Sequence, residues 1–225
     1  MLPMKSPNFG PRRGVEGPSY IMIHYTDMSL AERAQAWMCH PQSQVSAHYL
    51  ITRWGEVAHL VAEGDRAWHA GVGCWAHIMD MNSHSIGIEL DYPGAAQPSL
   101  RYPEVQIASL IRLIKDIQRR WNIPPSNLIG HSDFAPERKS DPGPLFPWKY
   151  LGENGVGLRI PLALADTPFD IKEGLTKLGY ALHCFSLESC MSAYAQRFMG
   201  SLQVEPVMLA RHLRATLESN GENLR

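Results

Sequence analysis

Tyr20-Ile21-Met22-Ile23 is a short apolar run of strand length, and His24 follows it directly. Such a run predicts a buried β-strand, which places His24 at the strand's C-terminal end. Two further apolar runs predict strands at residues 86–90 (Ile-Gly-Ile-Glu-Leu) and 128–130 (Leu-Ile-Gly), the second ending just before His131. Because side chains at the C-terminal ends of neighbouring strands converge, these histidines are candidates for one functional site.

The segments around these strands indicate a hairpin and a helix. Residues 47–52 and 57–61 flank the turn-like Trp54-Gly55-Glu56, which predicts a β-hairpin. From residue 103 to residue 121, apolar side chains recur at helical spacing with charged residues between them, which predicts an amphipathic helix. These apolar positions are Ile107, Leu110, Ile111, Ile114, Ile117 and Trp121.

Two other stretches complete the main domain. Residues 30–38 predict a helix that stops before Pro41, with Ser29 and Glu32 as a capping box at its start. Pro124-Pro125 ends the long amphipathic helix. Residues 131–147 are polar and rich in proline, which predicts a loop without regular structure.

The whole pattern predicts an α/β fold, with a mixed central β-sheet flanked by helices and a small C-terminal three-helix bundle. Glycines and a proline between residues 153 and 166 indicate a linker, and helical patterns follow at about residues 168–178, 187–199 and 205–219. The predicted organisation is an irregular N-terminal arm (1–18), a main domain (19–152), the linker (153–166) and the bundle (167–221).

Composition limits the possible partners and compartments. Lys and Arg number 21 against 22 for Asp and Glu, so there is no basic excess to neutralise a nucleic-acid backbone. No stretch approaches the roughly 20 apolar residues of a membrane span, and the first 20 residues lack the apolar run of a signal peptide. We therefore expect a cytoplasmic protein without a nucleic-acid or evident protein partner, with the periplasm or envelope as the alternative.

The four cysteines, Cys39, Cys74, Cys184 and Cys190, form no CxxC pair. Their spacing argues against both a disulfide framework and a structural zinc knuckle, and it favours reduced, mostly structural thiols.

Three residues have the chemistry of a catalytic metal site. His24 and His131 end predicted strands, and Asp141 follows ten residues later in a loop constrained by prolines. A catalytic zinc takes three such ligands and keeps a fourth position open for water. Spacing alone leaves a second alternative open. In that alternative, the three residues are structural and their side chains are hydrogen-bonded. His48 is a rival ligand, but its mid-strand position favours a buried packing role.

Five motifs in order resemble the family 2 N-acetylmuramoyl-L-alanine amidases, which are zinc amidases of the peptidoglycan-recognition-protein-like fold. They span roughly residues 19–150 and surround His24, His48, His69, Asn82 with Glu89, and the loop from His131 to Pro144. The motifs are Ile-His-Tyr-Thr, Ser-Ala-His-Tyr-Leu-Ile, Ala-Trp-His-Ala-Gly, Asn-Ser-His-Ser-Ile-Gly-Ile-Glu and His-Ser-Asp-Phe-Ala-Pro-Glu-Arg-Lys-Ser-Asp-Pro-Gly-Pro.

The resemblance implies that residues 19–152 are a zinc amidase catalytic domain holding one Zn²⁺ per chain. It implies the metal ligands His24, His131 and Asp141, with Glu89 as general base and Lys139 beside the developing oxyanion. The substrate would be peptidoglycan or an (anhydro)muropeptide, cut between the lactyl group of N-acetylmuramic acid and L-alanine in cell-wall recycling or turnover. Relatives of the phage lysozyme type carry a tyrosine where this chain has Ala47, and Glu89 replaces it in the branch that this sequence resembles.

Three residues are predicted to line the substrate groove, namely Trp68, His69 and Asn82. An indole can cover the apolar face of a sugar, and an amide can pair with the peptide stem. Alternative roles are a core position for Trp68, a turn-stabilising role for Asn82, and a scaffold role for His69.

The C-terminal bundle is similar to the small three-helix peptidoglycan-binding domains of wall hydrolases. It keeps Leu-Gly-Tyr at residues 178–180, but residues 183–188 replace the usual Asp/Gly-rich connecting loop. A bundle that only packs on the catalytic domain is the alternative. For the whole chain, the alternatives to the enzyme are a non-catalytic muropeptide-binding protein of the same fold and a metal-free scaffold with a histidine-rich core.

Overall fold

A five-stranded mixed β-sheet forms the centre of the protein in the computed structural model, which describes residues 4–97 and 99–221. The strand order is β4-β3-β6-β2-β7, and a separate two-stranded sheet pairs β1 with β5. The strands are Phe9–Pro11 (β1), Tyr20–Tyr25 (β2), Tyr49–Ile51 (β3), Val57–His59 (β4), Asp65–Ala67 (β5), Ser85–Leu90 (β6) and Leu128–Gly130 (β7).

Parallel pairing brings the predicted site residues to one edge of the sheet. Strand β2 pairs in parallel with both β6 and β7, and His24 lies opposite Glu89 in the register of β2 and β6. His131 directly follows β7. The C-terminal ends of these three strands therefore meet at one edge, which is where α/β sheets place their sites.

Eight α-helices surround the sheet in the described part of the chain, which confirms the predicted fold class of a mixed sheet flanked by helices. They are Ala31–Met38 (α1), Met81–His84 (α2), Glu104–Trp121 (α3), His131–Phe134 (α4), Trp148–Glu153 (α5), Ile171–Leu178 (α6), Leu187–Tyr194 (α7) and Pro206–Asn220 (α8).

Helix α3 confirms the longest sequence pattern. Its buried positions include Ile107, Leu110 and Ile114, which pack against Ile21 and Ile88 of the sheet in one hydrophobic core. Helix α3 is long enough to cover one face of the sheet because its apolar stripe recurs over five turns. The face carrying Ile21 and Ile23 is thereby sealed from water, and His24 points to the opposite face.

The predicted hairpin is confirmed, since β3 and β4 pair antiparallel around Gly55, whose φ of 81° favours glycine. The prediction of a capping box formed by Ser29 and Glu32 is wrong. Helix α1 begins one residue later, with Leu30 in the capping position and no side-chain hydrogen bond there. Ser29 lies outside the helix and uses its backbone carbonyl to accept a hydrogen bond from Arg53 Nη2, at 2.8 Å.

Residues 131–147 differ from the predicted irregular loop because they begin with helix α4. The Asp133 carboxylate accepts a hydrogen bond from the backbone N–H of Gly130 at 2.8 Å, which satisfies the start of the helical turn. The backbone N–H of Ser132 donates to the carbonyl of Asp141 at 2.9 Å. This bond closes the loop and brings Asp141 back beside His131.

The three C-terminal helices lie where the sequence patterns place them, and a π-helical turn, Ala195–Met199, extends α7. They pack directly on the sheet, because Leu175, Tyr194 and Leu213 share one hydrophobic cluster with Ile129 and Phe134. No helix or strand forms between residues 154 and 166. The division into separate domains stays a prediction.

The N-terminal arm is less irregular than the sequence indicates. Strand β1 lies within it and pairs antiparallel with β5, so the arm is joined to the protein by backbone hydrogen bonds. The first three residues of the predicted arm lie outside the described residues.

Within residues 4–97 and 99–221, no helix has the length and apolar character needed to cross a membrane.

Candidate active site

Three side-chain atoms converge at the C-terminal edge of the sheet. His24 Nδ1 lies 2.9 Å from His131 Nδ1, and each of these nitrogens lies 3.1 Å from Asp141 Oδ2. A tetrahedral zinc ion with Zn–N and Zn–O distances of about 2.0–2.1 Å holds its ligand atoms about 3.3 Å apart. The triangle therefore has nearly the size that a shared metal ion requires.

The protonation of His131 supports the same conclusion. Its Nε2 lies 2.8 Å from the carbonyl oxygen of Ala70, which can only accept, so Nε2 carries the proton. The Nδ1 lone pair of His131 then faces the Asp141 carboxylate, another acceptor. Two acceptors at 3.1 Å repel each other unless a positive charge lies between them.

A chain of hydrogen bonds fixes His24 in the same way. The Ser85 hydroxyl donates to the carbonyl of Met81 at 2.7 Å, so it accepts from His69 Nε2 at 3.4 Å. His69 Nδ1 is then the acceptor for His24 Nε2–H at 3.0 Å. The Nδ1 of His24 is left as a lone pair aimed at His131 and Asp141, in the state that binds a metal.

Electrostatics keep this cluster in its metal-binding form. Burial lowers the pKa of His24 to about 4, and the neighbouring His131 adds to the effect, so the His24 imidazole is neutral at neutral pH. Burial alone raises the pKa of Asp141, but the two imidazoles outweigh it and hold this pKa well below its ordinary range. At neutral pH His24 therefore offers a neutral nitrogen, and Asp141 offers a carboxylate.

Glu89 has an unusual environment beside the cluster. Its Oε2 is buried, and no donor among the described residues reaches it. Burial and, to a smaller extent, the Asp141 carboxylate raise the pKa of Glu89 to about 8, against the opposing effect of Lys139. A carboxyl group with a pKa near neutrality can both take up and release a proton, as a general base and acid must.

A cavity of about 390 Å³ opens above these groups. Its wall includes all the predicted site residues except Asn82, namely His24, Trp68, His69, Glu89, His131, Lys139 and Asp141. Lys139 is exposed at the rim, so a charged amine and a shielded carboxyl group face the same space. A concave cavity lined by apolar side chains and a few convergent polar groups is typical of a ligand site.

Asn82 does not contact this cavity, which differs from the predicted substrate contact. Its Oδ1 accepts the backbone N–H groups of His69 and Ala70 at 2.9 and 2.8 Å. Asn82 is also buried, so its amide holds the loop that carries His69 from behind. His48 is buried too and contacts the backbone of Gly87 and Asp65, as the packing role predicts.

Trp37 and Arg138 are among the cavity residues that the sequence reasoning missed. Trp37 lies on α1, is 51% exposed and lines the cavity together with Trp68. Arg138 donates to the carbonyls of Ala70 and Val72 at 2.8 and 2.7 Å, joining two loops at the rim. The available indication for Trp37 was a large aromatic residue outside the apolar stripe of its helix.

A metal-dependent hydrolase is the class of protein that this fold and donor set define. Residues 14–144 match the family model described as N-acetylmuramoyl-L-alanine amidase. This match covers more than half of the chain, and the chain belongs to that family.

Two curated relatives are N-acetylmuramoyl-L-alanine amidase AmiD of Escherichia coli (strain K12) and 1,6-anhydro-N-acetylmuramyl-L-alanine amidase AmpD of Citrobacter freundii. AmiD is 38% identical over an alignment of 188 residues. The match covers 71% of this chain and 66% of AmiD. The chain thus spans slightly less than two thirds of AmiD. AmpD is 34% identical over an alignment of 160 residues, and the match covers 64% of this chain and 83% of AmpD.

Two solved structures extend the likeness over nearly the whole chain. E. coli AmiD, in complex with the substrate anhydro-N-acetylmuramic acid-L-Ala-D-γ-Glu-L-Lys, has a TM-score of 0.76 at 30% identity and covers 94% of this chain and 91% of its own. AmpDH3 of Pseudomonas aeruginosa, in complex with an anhydromuramic pentapeptide, has a TM-score of 0.79 at 32% identity. The match covers 92% of this chain and 94% of AmpDH3. Because the two structures cover 94% and 92% of this chain, these matches extend beyond residue 144, where the family match ends, into the C-terminal helices.

Proposed function

We propose that this protein is a zinc-dependent amidase that hydrolyses the bond between the lactyl group of N-acetylmuramic acid and L-alanine in muropeptides or peptidoglycan. The observation that carries the proposal is the convergence of His24 Nδ1, His131 Nδ1 and Asp141 Oδ2 within 3.1 Å of one another, beneath a cavity that also holds Glu89 and Lys139. Family membership gives the reaction.

The donor set supports zinc, with one ion at this site. His24, His131 and Asp141 would hold the ion, and two imidazole nitrogens with one carboxylate oxygen are a three-ligand donor set typical of catalytic zinc sites. A bound zinc ion supplies Lewis acidity and lowers the pKa of water towards about 7. Because the tautomers of His24 and His131 are fixed by His69 and Ala70, the ligands are oriented before the metal arrives.

Glu89 and Lys139 have separate roles in this proposal. Glu89 takes the proton of the attacking water and delivers a proton to the nitrogen of L-alanine as the amide bond breaks. Its shielded oxygen and its raised pKa suit both transfers. The Lys139 ammonium group lies at the rim and provides positive charge where the carbonyl oxygen becomes negative.

The substrate we propose is a muropeptide with a 1,6-anhydro end. This rests on the AmiD and AmpDH3 complexes, whose bound molecules are anhydromuramyl peptides, and on the printed name of AmpD. Trp68 and Trp37 supply aromatic surface for the sugar on the cavity wall. Glycan binding by the C-terminal helices stays a prediction, as does a cytoplasmic location with the envelope as the alternative.

The test follows release of free peptide by mass spectrometry from an anhydromuramyl peptide, a reducing muramyl peptide and polymeric peptidoglycan. We expect zinc-loaded wild type to release peptide, and a chelator or the substitution His131→Ala to abolish release. Glu89→Gln should bind zinc normally and lose about 10²–10⁴-fold in kcat, the usual contribution of a general base.

Matched controls separate catalysis from folding. His84→Ala and Glu104→Gln change residues of the same types that do not line the cavity, and both should retain wild-type rates. Intact substrate despite bound zinc and measurable muropeptide binding would replace the enzyme with a muropeptide-binding protein. Equal rates for Glu89→Gln and wild type would remove Glu89 from the mechanism.

A further inference from the structure

A second group of metal-ligating side chains lies where the C-terminal helices contact the rest of the protein. Cys74 Sγ lies 3.6 Å from His183 Nε2, and the ligand atoms of Cys74, His183 and Cys184 all lie within 4.8 Å of one another. This group shares no residue with the His24 cluster.

The geometry matches the one that zinc imposes. With Zn–S near 2.3 Å and Zn–N near 2.0–2.1 Å, a tetrahedral ion separates a thiolate sulfur from an imidazole nitrogen by about 3.5 Å and two sulfurs by about 3.8 Å. The observed 3.6 Å equals the first value within a few tenths of an ångström. Cys74 and His183 are 109 residues apart, so the fold rather than the local sequence assembles the group.

A fourth candidate ligand, His77, lies next to His183, although its ring nitrogens are outside the set of ligand atoms that lie within 4.8 Å of one another. The His77 ring packs on the His183 ring with 5.4 Å between centroids, and both histidines are exposed. Cys74 and His77 come from one loop in a C-x-x-H arrangement, and His183-Cys184 come from the turn between α6 and α7. Two thiols and two imidazoles are the donor set of structural zinc sites.

The surroundings give this site a rigid frame. The backbone N–H of Ala76 donates to the carbonyl of Gly179 at 2.7 Å, and Trp75 forms an isolated antiparallel bridge with Tyr180. The Trp75 and Tyr180 rings are buried and meet edge to face, with centroids 4.9 Å apart. The two segments that carry the ligands are thus already joined.

We propose that Cys74, His183 and Cys184, with His77 as the fourth ligand, form a structural zinc site that fastens the C-terminal helices to the sheet. The site has all its positions filled by protein, and it holds the loop of residues 73–78 against the end of α6. It differs from the catalytic site in donor chemistry, because only this second site contains sulfur.

Cobalt substitution tests the proposal, since only the second site can give thiolate-to-cobalt charge-transfer absorption in the near ultraviolet. In reduced, cobalt-loaded protein we expect this absorption in wild type and in His131→Ala, and its loss in Cys184→Ser and His183→Asn. Cys39→Ser is the matched control, because Cys39 is a free cysteine outside the group, and it should keep the band.

Metal content and stability provide a second readout. Wild type should contain about two zinc ions per chain and Cys184→Ser about one, in line with one structural and one catalytic site. Cys184→Ser should melt at a lower temperature in zinc while binding the catalytic metal as wild type does. His77→Ala should lose the second zinc to a chelator faster than wild type, and an unchanged rate would remove His77 from the site.

Two results would overturn the proposal. One is the absence of charge-transfer absorption from reduced, cobalt-loaded wild type that is folded by circular dichroism. The other is a Cys74–Cys184 disulfide, identified by peptide mapping, in protein isolated with zinc present, because oxidised sulfurs do not bind zinc. Cys184 is exposed on a turn, so its replacement by serine should leave the fold intact.

Discussion

His69 has a place in the site that the sequence alone did not give. It lines the cavity, as a substrate-binding residue would, but its Nδ1 also accepts the hydrogen bond that fixes the tautomer of His24. The close approach of Gly87 to the His69 ring leaves no room for a Cβ there, so the ring is held in place. The positioning role follows from contacts, whereas the substrate role rests on the resemblance.

We expect His69→Phe to weaken metal binding about 10–100-fold, the usual effect of removing a partner that orients a ligand. Phenylalanine keeps the ring volume but cannot accept the hydrogen bond from His24 Nε2. Zinc affinity is measured by competition with a chromogenic chelator, and His69→Gln should restore part of it by supplying a carbonyl acceptor. Unchanged zinc affinity with a raised KM would assign His69 to substrate binding.

Helix α4 and the π-helical turn after α7 are joined by a buried ion pair. Arg197 Nη1 lies 2.7 Å from Asp133 Oδ2, and both side chains are almost fully buried. Tyr180 donates to the other carboxylate oxygen at 2.7 Å, and Arg197 Nη2 donates to the Leu128 carbonyl. The helix that begins with His131 is therefore supported by the C-terminal helices, which couples the active-site loop to their packing.

Replacing Arg197 with methionine should lower the free energy of unfolding by about 3–5 kcal/mol, because Asp133 would remain buried and charged without its partner. Methionine keeps an apolar stem of similar length but loses the guanidinium group that lies over the Trp148 ring, 4.5 Å from its centroid. Urea unfolding followed by circular dichroism measures the change. Arg119→Met is the control, since the exposed Arg119–Asp116 pair should contribute under about 1 kcal/mol. Similar losses for both variants would contradict the coupling.

The two largest of three hydrophobic clusters in the described part of the chain lie on either side of the sheet. One core lies between α3 and the sheet, and the other lies between the sheet and the C-terminal helices. Ile129 and Phe134 are fully buried in the second core. This packing supports the alternative in which the bundle serves the catalytic domain, and it leaves glycan binding to be tested.

A chain ending at residue 166 should aggregate or purify as a poorly folded species, because it exposes the apolar surface around Ile129 and Phe134. The soluble fraction and size-exclusion profile are compared with those of the full chain. A soluble, active fragment would instead establish the predicted boundary between two independent domains.

Acid should destabilise the protein through buried histidines, and His48 isolates one contribution. Burial lowers the pKa of His48 to about 3, against the opposing effect of the hydrogen bond between Nε2 and the Asp65 carbonyl, while Nδ1 accepts from the Gly87 N–H. The folded pKa lies below the unfolded value of about 6.5, so this stability is fully present above pH 6.5 and is lost as the pH falls towards 3. Between pH 6.5 and 5 the loss is about 2 kcal/mol.

The measurement is urea unfolding of wild type and His48→Gln at pH 6.5 and pH 5, with chelator present so that the other histidines contribute equally. Wild type should lose about 2 kcal/mol more than the variant over this interval. His84→Gln should follow wild type. An equal pH dependence for wild type and His48→Gln would show that His48 is protonated in the folded protein.

The sequence by itself determined strands β2, β6 and β7, the hairpin, the helix over residues 104–121 and the family, because apolar periodicity and contiguous motifs are local properties. It also named the residues whose donor atoms converge at His24, since the first motif carries His24 and the last carries His131 and Asp141. Only the tertiary structure placed Asn82 behind the cavity wall, linked His69 to His24, and brought Cys74 to His183 across 109 residues. These contacts join segments far apart in the chain, and their partners are set by how helices and sheet pack, which no local pattern encodes.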